Sequence, residues 1–185
     1  MLQSQRLILR PWQSQDYPIF RRINQDTLVM RYFPSILSDQ ESDLLAERID
    51  GLVEVNGWGF WAVELKHTGA FIGFVGLNRQ EADSGIPNAP LLEIGWRLNS
   101  RYWGKGYAPE AANLALQFAF EQLNIDRVYA FTSLLNSPSI RVMEKIGMCN
   151  SFQDFDHPKL PKEHELARHC LYEIHQTQWQ SLQES

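Results

Sequence analysis

Hydrophobic and polar residues repeat along this chain with two different periods, and each period predicts one kind of secondary structure. Alternation with a period of two is typical of strands and occurs over residues 6–10 and 91–98. Aromatic and β-branched runs predict strands over residues 58–65 and 71–79, and further strands are predicted over residues 128–133, 148–155 and 167–175. Apolar residues three or four positions apart are typical of helices, and this spacing occurs over residues 14–24, 38–56, 109–123 and 137–146. Ser14 and Ser38 are the expected N-caps of the first two helices. The pattern predicts a mixed α+β fold.

No internal repeat and no linker interrupts this series of elements, so the chain is predicted to form a single domain. We place that domain at residues 1–176 and a polar, glutamine-rich tail at residues 177–185. The length agrees with this division, because 185 residues are enough for a hydrophobic core that needs no metal or disulfide.

Composition and charge exclude several classes of protein. The chain is 44% hydrophobic and 21% charged, as in a soluble globular domain and unlike disordered, collagen-like or coiled-coil chains. Lys and Arg number 17 against 22 Asp and Glu, which gives a net charge of −5 and no basic stripe, so we expect no direct binding to nucleic acid. The apolar run near residue 1 is too short for a signal peptide and no run reaches about 18 apolar residues, so we expect no signal peptide and no membrane partner.

The cysteines and histidines give no metal or redox pattern. Cys149 and Cys170 stand in neither a C-x-x-C nor a zinc-type spacing, and the histidines near the C-terminal end have no recognised ligand spacing. We therefore expect no metal, no disulfide framework and a reducing, cytoplasmic location. Neither cysteine belongs to a motif with a paired histidine and acid, so a covalent acyl-enzyme is not indicated.

A glycine-rich segment, R-Y-W-G-K-G-Y-A at residues 101–108, lies between a predicted strand and a predicted buried helix. Gly104 and Gly106 let the backbone approach a ligand closely, and the following helix adds the positive end of its dipole. Such a corner binds a diphosphate, although a turn that only joins strand to helix shows the same pattern. A nucleotide-triphosphatase loop is excluded because no Lys-Ser/Thr pair follows, and the third glycine of the dinucleotide fingerprint is missing.

Five short motifs follow one another along the chain. They are R-L-I-L-R at residues 6–10, E-I-G-W-R-L at residues 93–98, the glycine loop, N-S-P-S at residues 136–139 and V-M-E-K-I-G-M at residues 142–148. In this order they resemble the GNAT superfamily of N-acetyltransferases, specifically its RimJ/RimL-like branch of ribosomal-protein N-terminal acetyltransferases. The resemblance covers residues 5–172. It implies a single-domain GNAT fold with helices on both faces of a mixed, largely antiparallel sheet, splayed between residues 91–98 and 128–133.

The resemblance also implies acetyl-CoA as the co-substrate, bound in the split of the sheet. The glycine loop would wrap its pyrophosphate, a role for Arg101, Gly104, Lys105, Gly106, Tyr107 and Ala108. The preceding strand would supply backbone hydrogen bonds to the pantetheine arm, through Trp96, Arg97 and Leu98. Asn136 would orient the cofactor amide or a bound water.

Acetyl transfer to an amine needs a base or a water relay, because an amine with a pKa of about 8 to 10.4 is mostly protonated at neutral pH. Glu93 is the candidate base. Alternation along the strand puts it on one face with Gly95, whose missing side chain leaves room for a ligand, and a glutamate here resembles the base of the family. The alternative is a solvated strand acid, or one paired with Arg97.

The candidate acid is Ser139. Many members of the superfamily have a tyrosine four residues before the glycine of the last motif, where this chain has Met143, and methionine cannot donate a proton. Ser139 lies close to the start of the same predicted helix and is the candidate substitute. Two alternatives remain open: the hydroxyl of Ser139 serves only the helix end, or the departing thiolate takes its proton from solvent.

We therefore expect direct transfer of an acetyl group from acetyl-CoA to a primary amine. The first candidate for this acceptor is a protein N-terminal α-amine. One alternative is a small acceptor such as a polyamine, an amino acid or an aminoglycoside. Another is a non-catalytic acyl-CoA-binding module that regulates a partner, which the missing tyrosine keeps open. The sequence does not predict the oligomeric state.

Overall fold

The computed structural model describes residues 1–184, and over those residues a mixed sheet of nine strands is combined with five α-helices. The strands are β1 (Leu2–Gln3), β2 (Leu7–Arg10), β3 (Phe60–Leu65), β4 (Phe71–Gln80), β5 (Leu91–Leu98), β6 (Arg127–Ser133), β7 (Cys149–Asn150), β8 (Phe155–Asp156) and β9 (Arg168–His175). The helices are α1 (Tyr17–Gln25), α2 (Asp39–Asn56), α3 (Tyr107–Glu121), α4 (Ser137–Lys145) and α5 (Gln176–Gln183). The predicted α+β class is confirmed.

The residues group into two compact units. The first consists of Met1–Leu77 and Gly95–Ala115, and the second of Asn78–Ile94 and the residues from Leu116 on. Strands β4 and β5 contribute to both units, because two of the boundaries fall inside them. A single functional domain over residues 1–176 stays a prediction.

In the first unit, β1, β2, β3 and β4 lie side by side in sequence order, and each neighbouring pair is antiparallel. The register of β3 against β4 shifts between Val63 and Glu64, opposite Gly73. Gly73 has a φ of +132°, and a Cβ at this position would lie 2.1 Å from the carbonyl oxygen of Arg97 in β5. A glycine at this bulge is therefore what lets the end of β5 lie against β4.

The core of the first unit is aromatic. Trp12 packs against Phe20 and Phe71 with ring centres 5.0 and 5.3 Å apart, and Phe74 lies 5.9 Å from Phe20. Helix α1 joins the same cluster through Phe20 and Ile23, both almost completely buried. Aromatic side chains bury about 150–250 Å² each, so this cluster supplies much of the apolar burial that holds α1 on the sheet.

The start of α1 differs from the prediction. Ser14 is not the N-cap of a continuous helix, because a short 3-10 turn at Ser14–Asp16 comes before α1. The carboxylate of Asp16 accepts from the N–H of Gln13 at 2.8 Å and from the guanidinium of Arg10 at 2.8 and 2.9 Å. Asp16 is completely buried, so this ion pair with the last residue of β2 determines where the helical turn begins. The predicted N-cap of α2, Ser38, is confirmed.

In the second unit, β6 pairs with β5 in parallel, with Glu93 opposite Tyr129, and with β9 in antiparallel fashion along its whole length. The short strands β7 and β8 also pair with β9. From Gly95 on, β5 belongs to the first unit.

The prediction of one strand over residues 148–155 is wrong. The structure has β7 and β8 instead, separated by a turn in which Phe152 has a φ of +58° and is 88% exposed. The side-chain oxygen of Asn150 accepts from the N–H of Phe152 at 2.8 Å and stabilises this turn. Alternation of apolar residues does not reveal such a break, because a positive φ at phenylalanine depends on local hydrogen bonds rather than on its own side chain.

Residues 176–183, which include most of the predicted polar tail, form the helix α5. Trp179 is only 7% exposed and packs against Phe120 of α3 with ring centres 5.4 Å apart. Leu182 approaches Gly147 so closely that a Cβ there would lie 2.2 Å from Cδ1 of the leucine. In the described part of the chain, none of the helices has the length and apolarity needed to cross a membrane.

We expect Trp179→Ala to lower the free energy of unfolding by about 3–5 kcal/mol, because an aromatic side chain is removed from a packed site. Trp179→Phe should cost much less, since the buried Nε1–H of Trp179 has no hydrogen-bond partner among the described residues. Denaturant unfolding measures both, with Gln180→Ala on the exposed side of α5 as the control. A Trp179→Ala variant as stable as the control would contradict the docking of α5.

Candidate active site

The glycine-rich loop joins the end of β5 to the start of α3, and local hydrogen bonds hold its first part. The side-chain oxygen of Asn99 accepts from the N–H of Arg101 at 3.1 Å and caps the short 3-10 turn Ser100–Tyr102. Gly104 and Gly106 follow with φ of +73° and +78°. Both angles lie in the left-handed region, which glycine adopts without steric cost.

Arg6, just before β2, connects the loop to the first turn of α3. Its Nη1 donates to the carbonyl oxygen of Lys105 at 2.9 Å, and its Nε and Nη2 lie 2.7 and 2.6 Å from Oε2 of Glu110. Its guanidinium carbon lies 4.5 Å from the ring centre of Tyr107. Ser4 donates to the other carboxylate oxygen of Glu110 at 2.6 Å. One arginine therefore holds the loop backbone and the helix start together.

Glu110 is a carboxylate at neutral pH. Partial burial tends to raise its pKa, but hydrogen bonds from Ser4 and Arg6 outweigh this effect and leave the pKa below its usual value. The sequence patterns do not indicate Arg6 or Glu110 as site residues. An acid in the first turn of the helix after the loop was the available signal for Glu110, but only the fold shows that Arg6 is its partner.

The loop fits a group that carries phosphates. Arg101 and Lys105 are exposed, and a Cβ at Gly104 would meet no atom within 4 Å, so the space above this glycine is open. Helix α3 begins at Tyr107, and the first N–H groups of a helix lack intrahelical partners. Exposed cations, open glycines and a helix N-terminus form the kind of corner that binds a diphosphate.

Successive residues of β5 direct their backbone N–H and C=O groups to opposite sides of the strand, which limits where a ligand can form hydrogen bonds with them. The carbonyl oxygen of Arg97 is directed at Gly73 in β4. The backbone groups of Trp96 and Leu98 therefore point away from β4. The carbonyl oxygen of Leu98 accepts from Nε1 of Trp103 at 2.8 Å. The backbone groups of Trp96 and Leu98 thus lie on the other side of β5 from those of Arg97, and the pantetheine role of these three residues stays a prediction.

Two amide side chains of β4 hold one carboxylate oxygen of Glu93. Nδ2 of Asn78 and Nε2 of Gln80 donate to its Oε2 at 3.2 and 2.7 Å. Over the described residues Glu93 takes part in no ion pair, so the alternative of a carboxylate paired with Arg97 has no support. Oε1 is the oxygen that remains to take up a proton.

The surroundings of Glu93 raise its pKa. Burial away from water is the largest effect, and the hydrogen bonds from Gln80 and Asn78 and the charge of Lys159 offset only part of it. A carboxylate with a raised pKa holds a proton at a pH where an exposed carboxylate has lost it. This is the property that a general base working near neutral pH needs.

The side chain of Arg97, in the first unit, is a cation that forms no ion pair with any of the described residues. Its Nη1 donates to Oδ1 of the completely buried Asn24 at 2.7 Å. The guanidinium lies 4.3 and 5.6 Å from the ring centres of Phe33 and Phe74. Nε is buried without a hydrogen-bond partner among the described residues. Burial lowers the pKa of Arg97 to about 10, so the side chain is still charged at neutral pH.

The residues predicted on α4 lie at its beginning. Asn136 is the N-cap: its Oδ1 accepts from the N–H of Ser139 at 3.3 Å, and its Nδ2 donates to Oγ1 of Thr132 at 2.9 Å. The amide of Asn136 is therefore engaged inside the protein, and the cap of α4 does not need the hydroxyl of Ser139. Met143 is only 2% exposed and is a core residue.

Two histidines without a predicted role pack into an aromatic cluster of the second unit. The rings of His157 and His169 lie 4.8 Å apart, and Phe155 lies 5.7 Å from His169. Burial is the main reason why the pKa of His157 is lowered to about 4, and burial also lowers that of His169. Both rings are neutral at neutral pH. Over residues 1–184 there is no group of three or more His, Cys, Asp or Glu side chains that could hold a metal.

A cavity of about 490 Å³ lies elsewhere in the first unit. It is lined by Met1, Pro11, Asp50, Val53, Glu54, Gly57 and Trp61. None of the residues predicted for the site lines it, so we do not assign the chemistry to this cavity.

Known proteins resemble this chain in sequence and in fold. A family model described as an acetyltransferase (GNAT) domain matches residues 6–149. The uncharacterized N-acetyltransferase YnaD of Bacillus subtilis is 28% identical over 177 residues, which are 95% of this chain and 97% of that protein. A GNAT-family acetyltransferase from Bacillus anthracis is 25% identical, with a TM-score of 0.79 over 95% of this chain and 98% of that one. Spermidine N-acetyltransferase from Vibrio cholerae, in complex with CoA and spermine, is 19% identical, with a TM-score of 0.72 over 96% and 99%.

The mixed sheet is the one found in the GNAT-family acetyltransferase from Bacillus anthracis. The chain belongs to the GNAT family of acetyltransferases, because the family model matches most of its length. The predicted superfamily, fold and enzyme class are thereby confirmed.

We expect acetyl-CoA at 100 times its dissociation constant to stabilise the fold by about 2.7 kcal/mol. Gly106→Ala should remove most of this gain, because a side chain strains the backbone at a φ of +78° and its Cβ would lie 3.4 Å from Nη2 of Arg6. Gly69→Ala is the matched control, since Gly69 has a φ of +69° and no atom within 4 Å of its Cβ position.

Differential scanning calorimetry with and without acetyl-CoA measures this effect. Both variants should lose some intrinsic stability, but only Gly106→Ala should lose the response to acetyl-CoA. A wild-type melting temperature that does not change with acetyl-CoA would contradict the assignment of the loop.

Proposed function

We propose that this enzyme moves an acetyl group from acetyl-CoA to a primary amine, in first place the N-terminal α-amine of a protein, and that it belongs to the RimJ/RimL-like branch. The observation that carries the proposal is the carboxylate of Glu93. It is desolvated, its pKa is raised, and two amides hold it through one oxygen only. The order of the five sequence motifs supports the branch.

The loop residues bind the co-substrate in this proposal. Acetyl-CoA supplies an acyl group activated as a thioester. The pyrophosphate is assigned to the loop residues Arg101, Gly104, Lys105, Gly106, Tyr107 and Ala108. Arg6 and Glu110 keep the loop in position, and the backbone of Trp96 and Leu98 is assigned to the pantetheine arm.

Glu93 removes the proton that blocks the reaction. An α-amine with a pKa of about 8 is mostly protonated at neutral pH and cannot attack a carbonyl carbon. Oε1 of Glu93 accepts this proton directly or through one water, while Asn78 and Gln80 retain Oε2. The C–N bond forms and the attacking nitrogen gives up its second proton to solvent. The C–S bond breaks, the departing sulfur takes up a proton, and Glu93 passes its own proton on to solvent. An α-amine suits this base better than a lysine side chain with a pKa of about 10.4, because less driving force is needed to remove its proton.

Ser139 is our candidate for returning a proton to the departing sulfur. A thiol pKa of about 8.5 means that the thiolate is a moderately good leaving group even without help. The contribution of Ser139 is therefore modest, and solvent can replace it. Ser139 and Thr132 both lie close to Asn136, the N-cap of α4.

The pKa of Glu93 also speaks against a non-catalytic acyl-CoA-binding module. Keeping a carboxylate away from water costs free energy that the charge of Lys159 offsets only in part, and a module that only binds the cofactor gains nothing from this cost. An enzyme does gain from this cost, because the carboxylate with a raised pKa can serve as its general base.

We also propose a cytoplasmic location. Both cysteines are free thiols, with Cys149 exposed and Cys170 buried, and exposed thiols persist in a reducing compartment.

Glu93→Gln should lower kcat by about 10²–10⁴, since the base is lost, and leave acetyl-CoA binding nearly unchanged. Burial raises the pKa of this carboxyl, so the folded state binds its proton more tightly than the unfolded state. Stability is therefore lost as pH rises from the ordinary carboxyl pKa through the raised one. Glu93→Gln, which cannot ionise, should be at least as stable as the wild type at pH 7.

Steady-state kinetics and denaturant unfolding from pH 5 to pH 9 test Glu93, with Glu81→Gln on the exposed residue after β4 as the control. The wild-type rate should fall as pH drops through the raised pKa. Near-normal turnover of Glu93→Gln, or a large loss of its stability at pH 7, refutes the role of base.

Ser139→Ala should slow turnover roughly tenfold at neutral pH and have little effect above the thiol pKa of about 8.5, where no acid is needed. The cap of α4 should survive, because Asn136 accepts from the backbone N–H of residue 139 rather than from its hydroxyl. Ser137→Ala, on an exposed residue of the same first turn, is the control. An identical pH–rate profile in Ser139→Ala and the control assigns the proton to solvent.

A further inference from the structure

We infer that the acceptor of this enzyme carries a carboxylate in addition to its amine, and that Arg97 binds this carboxylate. The inference rests on the proposed function, which it extends from a primary amine to an amine of one chemical class. It concerns residues of the first unit only: Arg97 on β5, its support on the helices α1 and α2, and the connection between these two helices.

Two arginines of the first unit differ in their partners: Arg10 forms ion pairs with carboxylates, and, among the described residues, Arg97 does not. Arg10 is 5% exposed and lies 2.8 Å from a carboxylate oxygen of Asp16 and 2.6 Å from one of Glu64. Arg97 is half-buried, yet over the described residues it has no carboxylate within ion-pair distance. Burial without compensation is costly, so a side chain that serves only the fold would be paired as Arg10 is. The rings of Phe33 and Phe74 stabilise this cation without neutralising it, so a ligand can supply the counter-charge.

Buried hydrogen bonds fix the orientation of this guanidinium. Nδ2 of Asn24 donates to Oγ of Ser42 at 2.8 Å, and Oδ1 of Asn24 accepts from Nη1 of Arg97 at 2.7 Å. Asn24 and Ser42 are both completely buried. Because Nη1 is engaged, the edge formed by Nε and Nη2 is the one without partners in the described structure. That edge presents two parallel N–H donors, the geometry that binds both oxygens of a carboxylate.

The connection between α1 and α2 forms no ion pair with Arg97 over the described residues. Its acid, Asp26, accepts from the hydroxyl of Ser100 at 2.5 Å and from the N–H of Leu28 at 2.9 Å. The same connection exposes apolar side chains: Leu28 is 58%, Phe33 38% and Ile36 49% exposed. Phe33 also lies over the guanidinium of Arg97. A single cation beside exposed apolar residues suits a carboxylate with an organic chain attached.

The chemistry separates this class of acceptor from two others. A polyamine would bring further positive charge towards an uncompensated guanidinium, which is repulsive. A phosphate is usually bound by several cations or a helix N-terminus, whereas Arg97 is one cation with one engaged nitrogen. A carboxylate can come from two sources, the α-carboxylate of a free amino acid or an acidic side chain near a protein N-terminus.

Matched acceptors test the inference. One pair is serine and serinamide, and the other is the dipeptide amides Ser-Glu-NH2 and Ser-Gln-NH2, with spermidine as a cationic comparison. In wild type, kcat/KM should be roughly 10 to 100 times higher for the carboxylate member of one pair, as expected for a hydrogen bond to a charged group. A preference within the first pair identifies a free amino acid, and one within the second identifies a protein N-terminus.

Arg97→Met should abolish the preference through a higher KM for the carboxylate acceptor and leave the response of the melting temperature to acetyl-CoA unchanged. The variant should fold, because it no longer bears the free-energy cost of partly burying a cation that has no ion-pair partner. Arg97→Lys, which keeps the charge but not the fork, should retain part of the preference. Arg31→Met is the matched control, since Arg31 is an exposed cation on the same connection and lies over Tyr32.

A second readout does not depend on turnover. The Nε–H of Arg97 is buried, and its NMR signal in the CoA-bound protein, assigned with Arg97→Lys, should shift on titration with N-acetylserine or N-acetyl-Ser-Glu-NH2 but not with the matching amides. A shift without acetylation of any acceptor would keep the carboxylate site and refute the proposed acetyl transfer. Acetylation without a carboxylate preference and without a shift would refute the carboxylate site and keep the transfer. Neither turnover nor a shift would refute both.

Discussion

The guanidinium of Arg6 is the contact on which the glycine loop depends. It binds the carbonyl oxygen of Lys105 and the carboxylate of Glu110, while the backbone oxygen of Arg6 accepts from Lys66 at 3.0 Å. Glycines lose more conformational freedom on folding than other residues, so a loop with two left-handed glycines needs an external support. Arg6 provides it by joining loop, helix start and sheet. The diphosphate corner is thus a property of the whole first unit rather than of the loop alone.

Strand β5 carries two ionisable side chains that form no ion pair among the described residues, Glu93 and Arg97. Each is desolvated and held by neutral amides: Glu93 by Asn78 and Gln80, and Arg97 by Asn24. Amides orient a charge without neutralising it, so both groups keep their reactivity at a cost in stability. Uncompensated charges of this kind are typical of functional sites. The same strand therefore supplies the proposed base and the proposed anchor for the acceptor.

The fold does not determine which amine is acetylated. A spermidine N-acetyltransferase shares it at 19% identity, and a likeness at that level extends to the fold alone. Acceptor choice has to lie in side chains near the reacting amine, and the connection between α1 and α2 presents Phe33 beside Arg97. The exposed apolar side chains of that connection are not part of the core.

The sequence by itself determined the features that depend on neighbours along the chain. The alternation over residues 91–98, the capping box at Ser38 and the two glycines at positions 104 and 106 each predict a local geometry that the structure contains. The tertiary structure alone decided the break at Phe152, the helix around Trp179 and the partners of the charges on β5. These features depend on burial and on atoms from distant parts of the chain, as when Asn24 meets Arg97 across 73 residues of sequence. A pattern of residue types shows that a charge is present, and only packing decides whether it is neutralised.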